Sequence, residues 1–324
     1  MNVTPVLDRL DRDIVAALQV NGRAGWRRIA TALDVPERTV AARGAELLRT
    51  KQVRVTALTV LPQGGMLDSS IVSVRCATGM NRVTGAAAAE RSGSVFTYLT
   101  TGEMDCVFEQ INARERSLNL MLDEIPGLPG AASIEIATVL RLYKATHEWL
   151  PPILEAAQIA SLRDDPHPGV PGGSAELQPL SREELEIARV LADDGRASFE
   201  ELARATALST ASVRRRLAHL QERGRLFIRA VVEPAALGYS VEATLRIRTL
   251  PGRTEAVART LAQVPEVRYL AFTTGRTQLF VDIACVDHTA LADFLMRADW
   301  TADATETETS IVLAALKRSG VKMR

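Results

Sequence analysis

The feature that most constrains this chain is that it repeats itself. Asn21-Gly22-Arg23-Ala24 recurs as Asp194-Gly195-Arg196-Ala197, so Gly22 and Gly195 are 173 positions apart. The same step carries Leu7 to Leu180, Ile14 to Ile187, Leu18 to Leu191, Val40 to Val213, Arg43 to Arg216 and Leu47 to Leu220. Far downstream it still carries Thr100-Thr101-Gly102 to Thr273-Thr274-Gly275 and Lys144 to Lys317. A step that stays constant over such a length leaves almost no net insertion. The chain therefore reads as a tandem duplication of a two-part unit, and any fold assigned to one copy must suit the other. Between the copies, residues 151–179 contain Pro166, Pro168, Gly169, Pro171, Gly172 and Gly173 and read as a linker. Its first part, 153–163, has the composition of a short helix.

Composition sets the class. Hydrophobic residues make up 47% and charged residues 24% of the 324, the balance of a globular protein rather than a disordered one. The 39 cations equal the 39 anions, which excludes a chain that coats nucleic acid indiscriminately but leaves room for a local basic patch. Cys76, Cys106 and Cys285 form no CxxC pair, which argues against a disulfide scaffold or zinc ribbon and fits a reducing cytoplasm. No apolar run approaches the roughly 18 residues of a membrane helix. The first residues, MNVTPVLDRLDRD, are charged where a signal peptide would be apolar. The expectation is a cytoplasmic protein with no membrane partner and no cofactor.

The front half of each copy is helical. Leu7, Leu10, Ile14, Val15 and Leu18 fall on one helical face, and the polar turn Asn21-Gly22-Arg23 ends that helix. Trp26, Ile29, Ala30 and Leu33 define a second helix, and Pro36 opens a third containing Val40, Leu47 and Leu48. In the second copy, 185–191 and 199–205 repeat the first two, and Ser209 caps the third, which stops at Gly224 before the strand Leu226-Phe227-Ile228. Three helices and a strand at this spacing predict winged helix-turn-helix modules over 1–62 and 180–234.

The third helix of each module is the candidate reader of DNA. Val213, Leu217 and Leu220 set the core face, so Arg214 and Arg215 point outward, where base edges and phosphates are met. Thr210, Ser212 and Arg216 complete the candidate contacts. Between Arg204 and Arg229 there are seven arginines and one acid, Glu222, a local charge of +6 in a neutral protein. The competing reading is an arginine-rich solvated helix. In the first copy Ala41 and Ala42 replace the two outward arginines, and Gly44 replaces Leu217. Glycine inside a helix costs about 1 kcal/mol against alanine. Arg23, Arg27, Arg28, Arg38, Arg43, Arg49, Lys51 and Arg54 still outnumber Asp34, Glu37 and Glu46. That half is expected to hold phosphates through Arg38, Thr39 and Arg43 but to read sequence poorly.

The back half is strand-rich. Strands at 70–76 and 242–248, helices at 81–91 and 252–263, strands at 95–100 and 267–273, returning strands at 106–111 and 278–285, then a second helix and a last strand, 133–142 and 307–316, spell β-α-β-β-α-β. That order predicts a ferredoxin-like sandwich in each copy, over 63–150 and 235–324, and an α+β fold class overall. The uncovered sheet face needs a partner, and two fused copies can cover one another, making one chain a built-in dimer.

A winged helix-turn-helix joined to this sandwich resembles the Lrp/AsnC family of transcriptional regulators. The residues that carry the resemblance are Leu7-Asp8-Arg9-Leu10-Asp11-Arg12-Asp13-Ile14, Leu18-Gln19-Val20-Asn21-Gly22-Arg23, and Val213, Arg216, Leu217, Leu220 and Gly224. In the back half they are Thr101-Gly102-Glu103-Met104-Asp105 and Ala137-Thr138-Val139-Leu140 with Lys144. The resemblance implies double-stranded DNA as partner, an amino acid or similar small effector, and assembly of several chains. It also implies an effector site at Thr101, Gly102 and Asp105, matched in the second copy by Thr274, Gly275 and Gln278. A carboxylate pairs with an α-ammonium group better than an amide does, so the two sites are expected to differ. The glycines alone would suit a hairpin turn needing positive φ.

Two other functions fit the architecture. Sirohaem decarboxylases resemble it and carry a histidine on a back-half strand, but the matching strands here, 95–99 and 267–271, have none. His147, His167, His219 and His288 are scattered, with no metal-like neighbours, and catalysis is not expected. A sensor acting through protein contacts alone is the third reading.

Overall fold

Asp8 starts the first helix and Ser181 its counterpart, each by accepting a hydrogen bond from a backbone N–H one turn along. The computed structural model describes residues 6–59, 67–163 and 180–323. The first copy runs α1 (Arg9–Val20), α2 (Trp26–Leu33), α3 (Glu37–Arg49), β1 (Arg54–Thr59), β2 (Leu67–Cys76), α4 (Asn81–Glu90), β3 (Ser94–Thr100) and β4 (Cys106–Ala113). A short helix, α5 (Ser117–Asn119), and strand β5 (Ala131–Lys144) complete it, and α6 (Ala156–Leu162) follows. The second copy runs α7 (Arg182–Asp193), α8 (Phe199–Thr206), α9 (Thr210–Glu222), β6 (Leu226–Val231), β7 (Val241–Thr249), α10 (Thr254–Ala262), β8 (Val267–Thr273) and β9 (Leu279–Cys285). It ends with α11 (His288–Leu295), α12 (Ala298–Thr301), β10 (Ala304–Arg318) and β11 (Val321–Lys322). The expected module border at 62 and the Pro/Gly-rich stretch from Pro166 to Gly173, with His167, lie outside the described residues.

The chain folds into two compact units, and neither is a copy. One unit draws on 1–61 and 150–238, the other on 62–149 and 239–324. In the first, both helix-turn-helix modules share one body. Strand β1 does not fold back on its own module as a private wing. It pairs antiparallel with β6 of the other copy, from Arg54 opposite Val231 to Thr59 opposite Leu226. Correspondingly α1 packs on β6 and α7 on β1. Ile14, Leu18, Ile29, Val40 and Leu47 are buried in one copy, and Ile187, Leu191, Leu202, Val213, Leu217 and Leu220 in the other. The last three fix the rotation of α9 as the periodicity predicted. Helix α6 belongs to this unit as well. Arg28 donates to Ser161 O and Arg163 O at 2.8 Å each, Gln158 donates to Ala32 O at 3.1 Å, and Leu162 is fully buried. The first part of the expected linker is therefore docked structure.

In the second unit each copy forms a ferredoxin-like sheet, β5-β2-β4-β3 and β10-β7-β9-β8. The sheets join at both edges, since β5 pairs with β8 and β10 with β3. Every strand of this unit but β11 thus lies in a closed ring, in which β5 and β10 each pair one half with their own copy and the other half with the other copy. One face of each sheet packs on its own helices, around Val72, Val74, Ala88 and Phe108 in one copy and Leu245, Val257, Leu270 and Phe294 in the other. The opposite faces enclose a shared core of Ile71, Phe96, Tyr98 and Val107 with Tyr269, Ala271 and Phe280. The expectation that the copies cover one another holds, by closure into a ring. Phe96 sits at 5.7 Å from the Tyr269 ring and 6.0 Å from Phe280, so aromatic packing ties the copies together at the centre.

Candidate nucleic-acid interface and sensor loops

Helix α9 starts after Ala207, held left-handed at φ 55°, and after Ser209, whose hydroxyl accepts from Ser212 N–H at 3.2 Å. Ser212 Oγ in turn accepts from Ser209 Oγ at 3.0 Å, so this hydroxyl is already engaged. Thr210 and Arg216 are half-buried, while Arg214 and Arg215 are exposed. Arg215 makes no ion pair among the described residues. The Arg214 guanidinium lies over the Phe199 ring at 4.4 Å, braced against the preceding helix. Of the seven arginines counted in the sequence, Arg225 and Arg229 are buried, so the exposed patch is smaller than +6. Both belong to the turn and strand where the duplicated modules meet, which the charge count had no means of registering.

Helix α3 differs in kind. Arg38 and Thr39 are exposed on its first turn, but Arg43 pairs with Asp11 at 2.8 Å and with Asp8. Arg49 is paired with Glu46 at 2.6 Å, and Arg28 is bound to α6. Much of the cationic excess of the first copy is thus committed within the fold. Gly44 has a packing reason: a Cβ there would lie 2.4 and 2.5 Å from two atoms of the Trp26 ring. Trp26 takes the space that Leu217 takes in the second copy, where the residue equivalent to Trp26 is the smaller Phe199. The glycine is half of a size exchange, not a defect.

The repeated Gly-Arg-Ala loops, read from sequence only as turns, cross-brace the two modules. Arg23 Nη1 donates to Gly195 O and Ala197 O, each at 2.9 Å. Arg196 returns the contact to Gly22 O at 2.7 Å and Ala24 O at 3.2 Å. Gly22 N–H donates to Ile228 O at 2.9 Å and Gly195 N–H to Val55 O at 2.8 Å. Burial depresses the pKa of both arginines, and Asp194 opposes the shift. The signal was present in the sequence: Gly-Arg-Ala is kept intact in both copies, more than helix termination requires.

The sensor loops are equally symmetric. Gly102 and Gly275 have φ of 93° and 106°, as a tight hairpin demands. Thr101 bonds Ile311 twice, N–H to O and Oγ1 from N–H, both at 2.9 Å. Thr274 does the same to Thr138, its N–H donating at 2.9 Å and its Oγ1 accepting at 2.9 Å. Asp105 accepts from Cys76 N–H at 2.7 Å and from Asn81 Nδ2 at 3.0 Å. Gln278 accepts at 3.0 Å from the N–H of Thr249, the residue equivalent to Cys76. Aspartate and glutamine therefore do the same internal work, and the expected contrast between them is muted. Beside Gln278 opens a cleft of about 500 Å³ lined by Arg248, Thr249, Thr254, Thr305 and Glu306, among others. Arg248 is exposed.

Residues 242–321 match the Lrp/AsnC ligand binding domain, and residues 7–48 and 185–221 the AsnC-type helix-turn-helix domain. The chain is 30% identical over 142 residues to the HTH-type transcriptional regulator FL11 of Pyrococcus horikoshii, which spans 44% of this chain and is itself covered over 94%. It is 32% identical over 117 residues to the HTH-type transcriptional regulator Ptr1 of Methanocaldococcus jannaschii, covering 79% of that protein and 36% of this chain. Each relative thus corresponds to less than half of the duplicated chain. The solved siroheme decarboxylase NirDL is similar over 97% of this chain and 94% of its own, with a TM-score of 0.60 at 17% identity, a likeness of fold.

Proposed function

This chain belongs to the Lrp/AsnC family of transcriptional regulators, and from that premise we propose how it works. It is a sequence-reading regulator, not an enzyme, in which one chain supplies both halves of a family dimer. Helix α9 reads bases through Arg214 and Arg215, helped by Thr210, Ser212 and Arg216. Helix α3 anchors phosphates through Arg38 and Thr39, while Arg43 mainly braces α1. The modules correspond to 1–62 and 180–234 for DNA and to 63–150 and 235–324 for sensing. The observation that carries this reading is the exposed arginine pair on the outer face of α9, within a segment that matches the family's helix-turn-helix. No helix among the described residues is long and apolar enough to cross a membrane, and we place the protein in the cytoplasm.

The effector of this reading is an amino acid or similar zwitterion bound over the Thr-Gly loops, at Thr101, Gly102 and Asp105 and at Thr274, Gly275 and Gln278. The second-copy site is the better equipped. Arg248 on the cleft rim suits a carboxylate, and Glu306, paired there with Arg276, brings a carboxylate within reach of an ammonium, whereas the equivalent first-copy residues are Arg75 and Ser133. Further association of chains follows the family pattern.

The test is binding to DNA from the region upstream of the protein's own coding sequence, against random duplex, across a salt series. A preference of about 10³-fold or more is expected. Arg214→Ala or Arg215→Ala should remove about 1–3 kcal/mol of it for each bidentate base contact. Equal binding to both duplexes would sink the sequence-reading claim.

A further inference from the structure

The cross-brace in the first unit reaches a base-reading residue. Arg23 lies over the Phe199 ring at 5.0 Å, and Arg196 lies over Trp26 at 4.5 Å. Phe199 and Trp26 are the first residues of α8 and α2, so each arginine grips the first helix of the other copy's helix-turn-helix. Phe199 also carries Arg214 at 4.4 Å. Contacts therefore run from the first copy, through Phe199, to the outer face of α9. The backbones at the crossing are too close for any cushion. A Cβ on Gly22 would lie 2.8 Å from Ile228 O, and one on Gly195 would lie 2.8 Å from Val55 Cγ1.

We propose that Arg23 and Arg196 are positioning residues for DNA recognition: they fix the separation of the two reading helices, and hence the half-site spacing this chain accepts. Arg23 additionally sets Arg214 through Phe199. The inference rests on the DNA-binding reading above. A planar guanidinium suits the task because its fixed fork meets two carbonyls while its face stacks on a ring. A lysine ammonium keeps the charge but can do neither as well. Rigidity matters because adding one base pair between half-sites moves the second by about 3.4 Å and turns it by roughly 35°. A braced pair of modules cannot follow that change, whereas a loosened pair can.

The experiment uses the full chain and a duplex selected by the wild-type protein from a random library, then lengthened or shortened by one and two base pairs at its centre. Wild type is expected to lose about tenfold or more in affinity per base pair, comparable to a mismatched base. Arg23→Lys and Arg196→Lys are expected to flatten that profile to within about threefold while leaving the salt slope unchanged, since no phosphate contact is removed. Phe199→Leu, which spares both carbonyl bonds of Arg23 but removes the ring, should flatten the spacing profile less than Arg23→Lys does and relax preference at the base position read by Arg214. A DNA-free readout accompanies these. Spin labels at positions 45 and 218, equivalent exposed sites on α3 and α9, with Cys76→Ser, should show a broader distance distribution in Arg23→Lys than in wild type. An unchanged spacing profile, or an unchanged distance distribution, overturns the proposal. If wild type selects no sequence, the regulator reading fails on its own, while the distance distribution still decides whether the brace sets the helix separation.

Discussion

Gly44 and Glu109 show how a single side chain is judged by what surrounds it. Gly44→Leu gains about 1 kcal/mol of helix propensity but drives into the Trp26 ring, an overpacking that costs about 1–3 kcal/mol. Trp26→Phe in the same chain recreates the Phe199 and Leu217 pairing of the second copy, so the clash vanishes and the propensity gain stays. A double-mutant cycle by urea unfolding should show favourable coupling on the order of 1 kcal/mol or more; simple additivity would refute the size exchange. Glu109 is buried in the shared core, accepting from Ser69 Oγ at 2.7 Å and Tyr269 Oη at 3.0 Å. Burial raises its pKa above the ordinary 4.5, though both hydrogen bonds pull the other way. The folded state then holds this proton more tightly than the unfolded chain. Its contribution is complete below pH 4.5 and declines as pH climbs through the raised value. Glu109→Gln keeps an acceptor for both donors and cannot ionise. Wild type should lose stability relative to the variant over that window, and parallel pH profiles would refute it. Glu242, in the same unit, is the contrast: burial pushes it up, but Arg318 and Arg268 beside it hold it below the ordinary value.

Elements were legible wherever one periodicity governs them. The three helices of each module and the β-α-β-β-α-β order of each sensor half follow from apolar spacing and turn residues, and the outward pair Arg214 and Arg215 follows from the buried face of α9. The candidate loop residues were legible as a motif but not as to role. Thr101 and Thr274 form reciprocal bonds across the two seams of the ring, contacts with residues 210 and 136 positions away in the chain. Thr101→Val and Thr274→Val should each cost about 1 kcal/mol and expose the Ile311 or Thr138 amide to faster hydrogen exchange. If either variant keeps its stability and protection but loses effector binding, the hydroxyl is a ligand contact instead of a seam.

At the scale of the molecule, both units are mosaics of the two copies, so neither copy supplies its own edges. A fragment of residues 1–163 presents β1, β3 and β5 without the strands of the other copy that pair with them in the full chain, β6, β10 and β8. It should therefore self-associate, each fragment standing in for the missing copy, and light scattering should give a dimer or larger species. A folded monomer would refute this. The sequence alone determined the duplication, the class of each module, the core faces and the family resemblance, because these rest on repetition and local periodicity. Tertiary structure decided the rest. It sent β1 to the other copy, closed two sheets into a ring, turned Gly-Arg-Ala from a helix stop into a brace, and gave Asp105 and Gln278 equivalent backbone partners, the amides of Cys76 and Thr249. Each depends on which distant carbonyl, ring or strand edge comes within about 3–5 Å, the range over which hydrogen bonds and cation–ring contacts act, and spacing along one chain does not encode it.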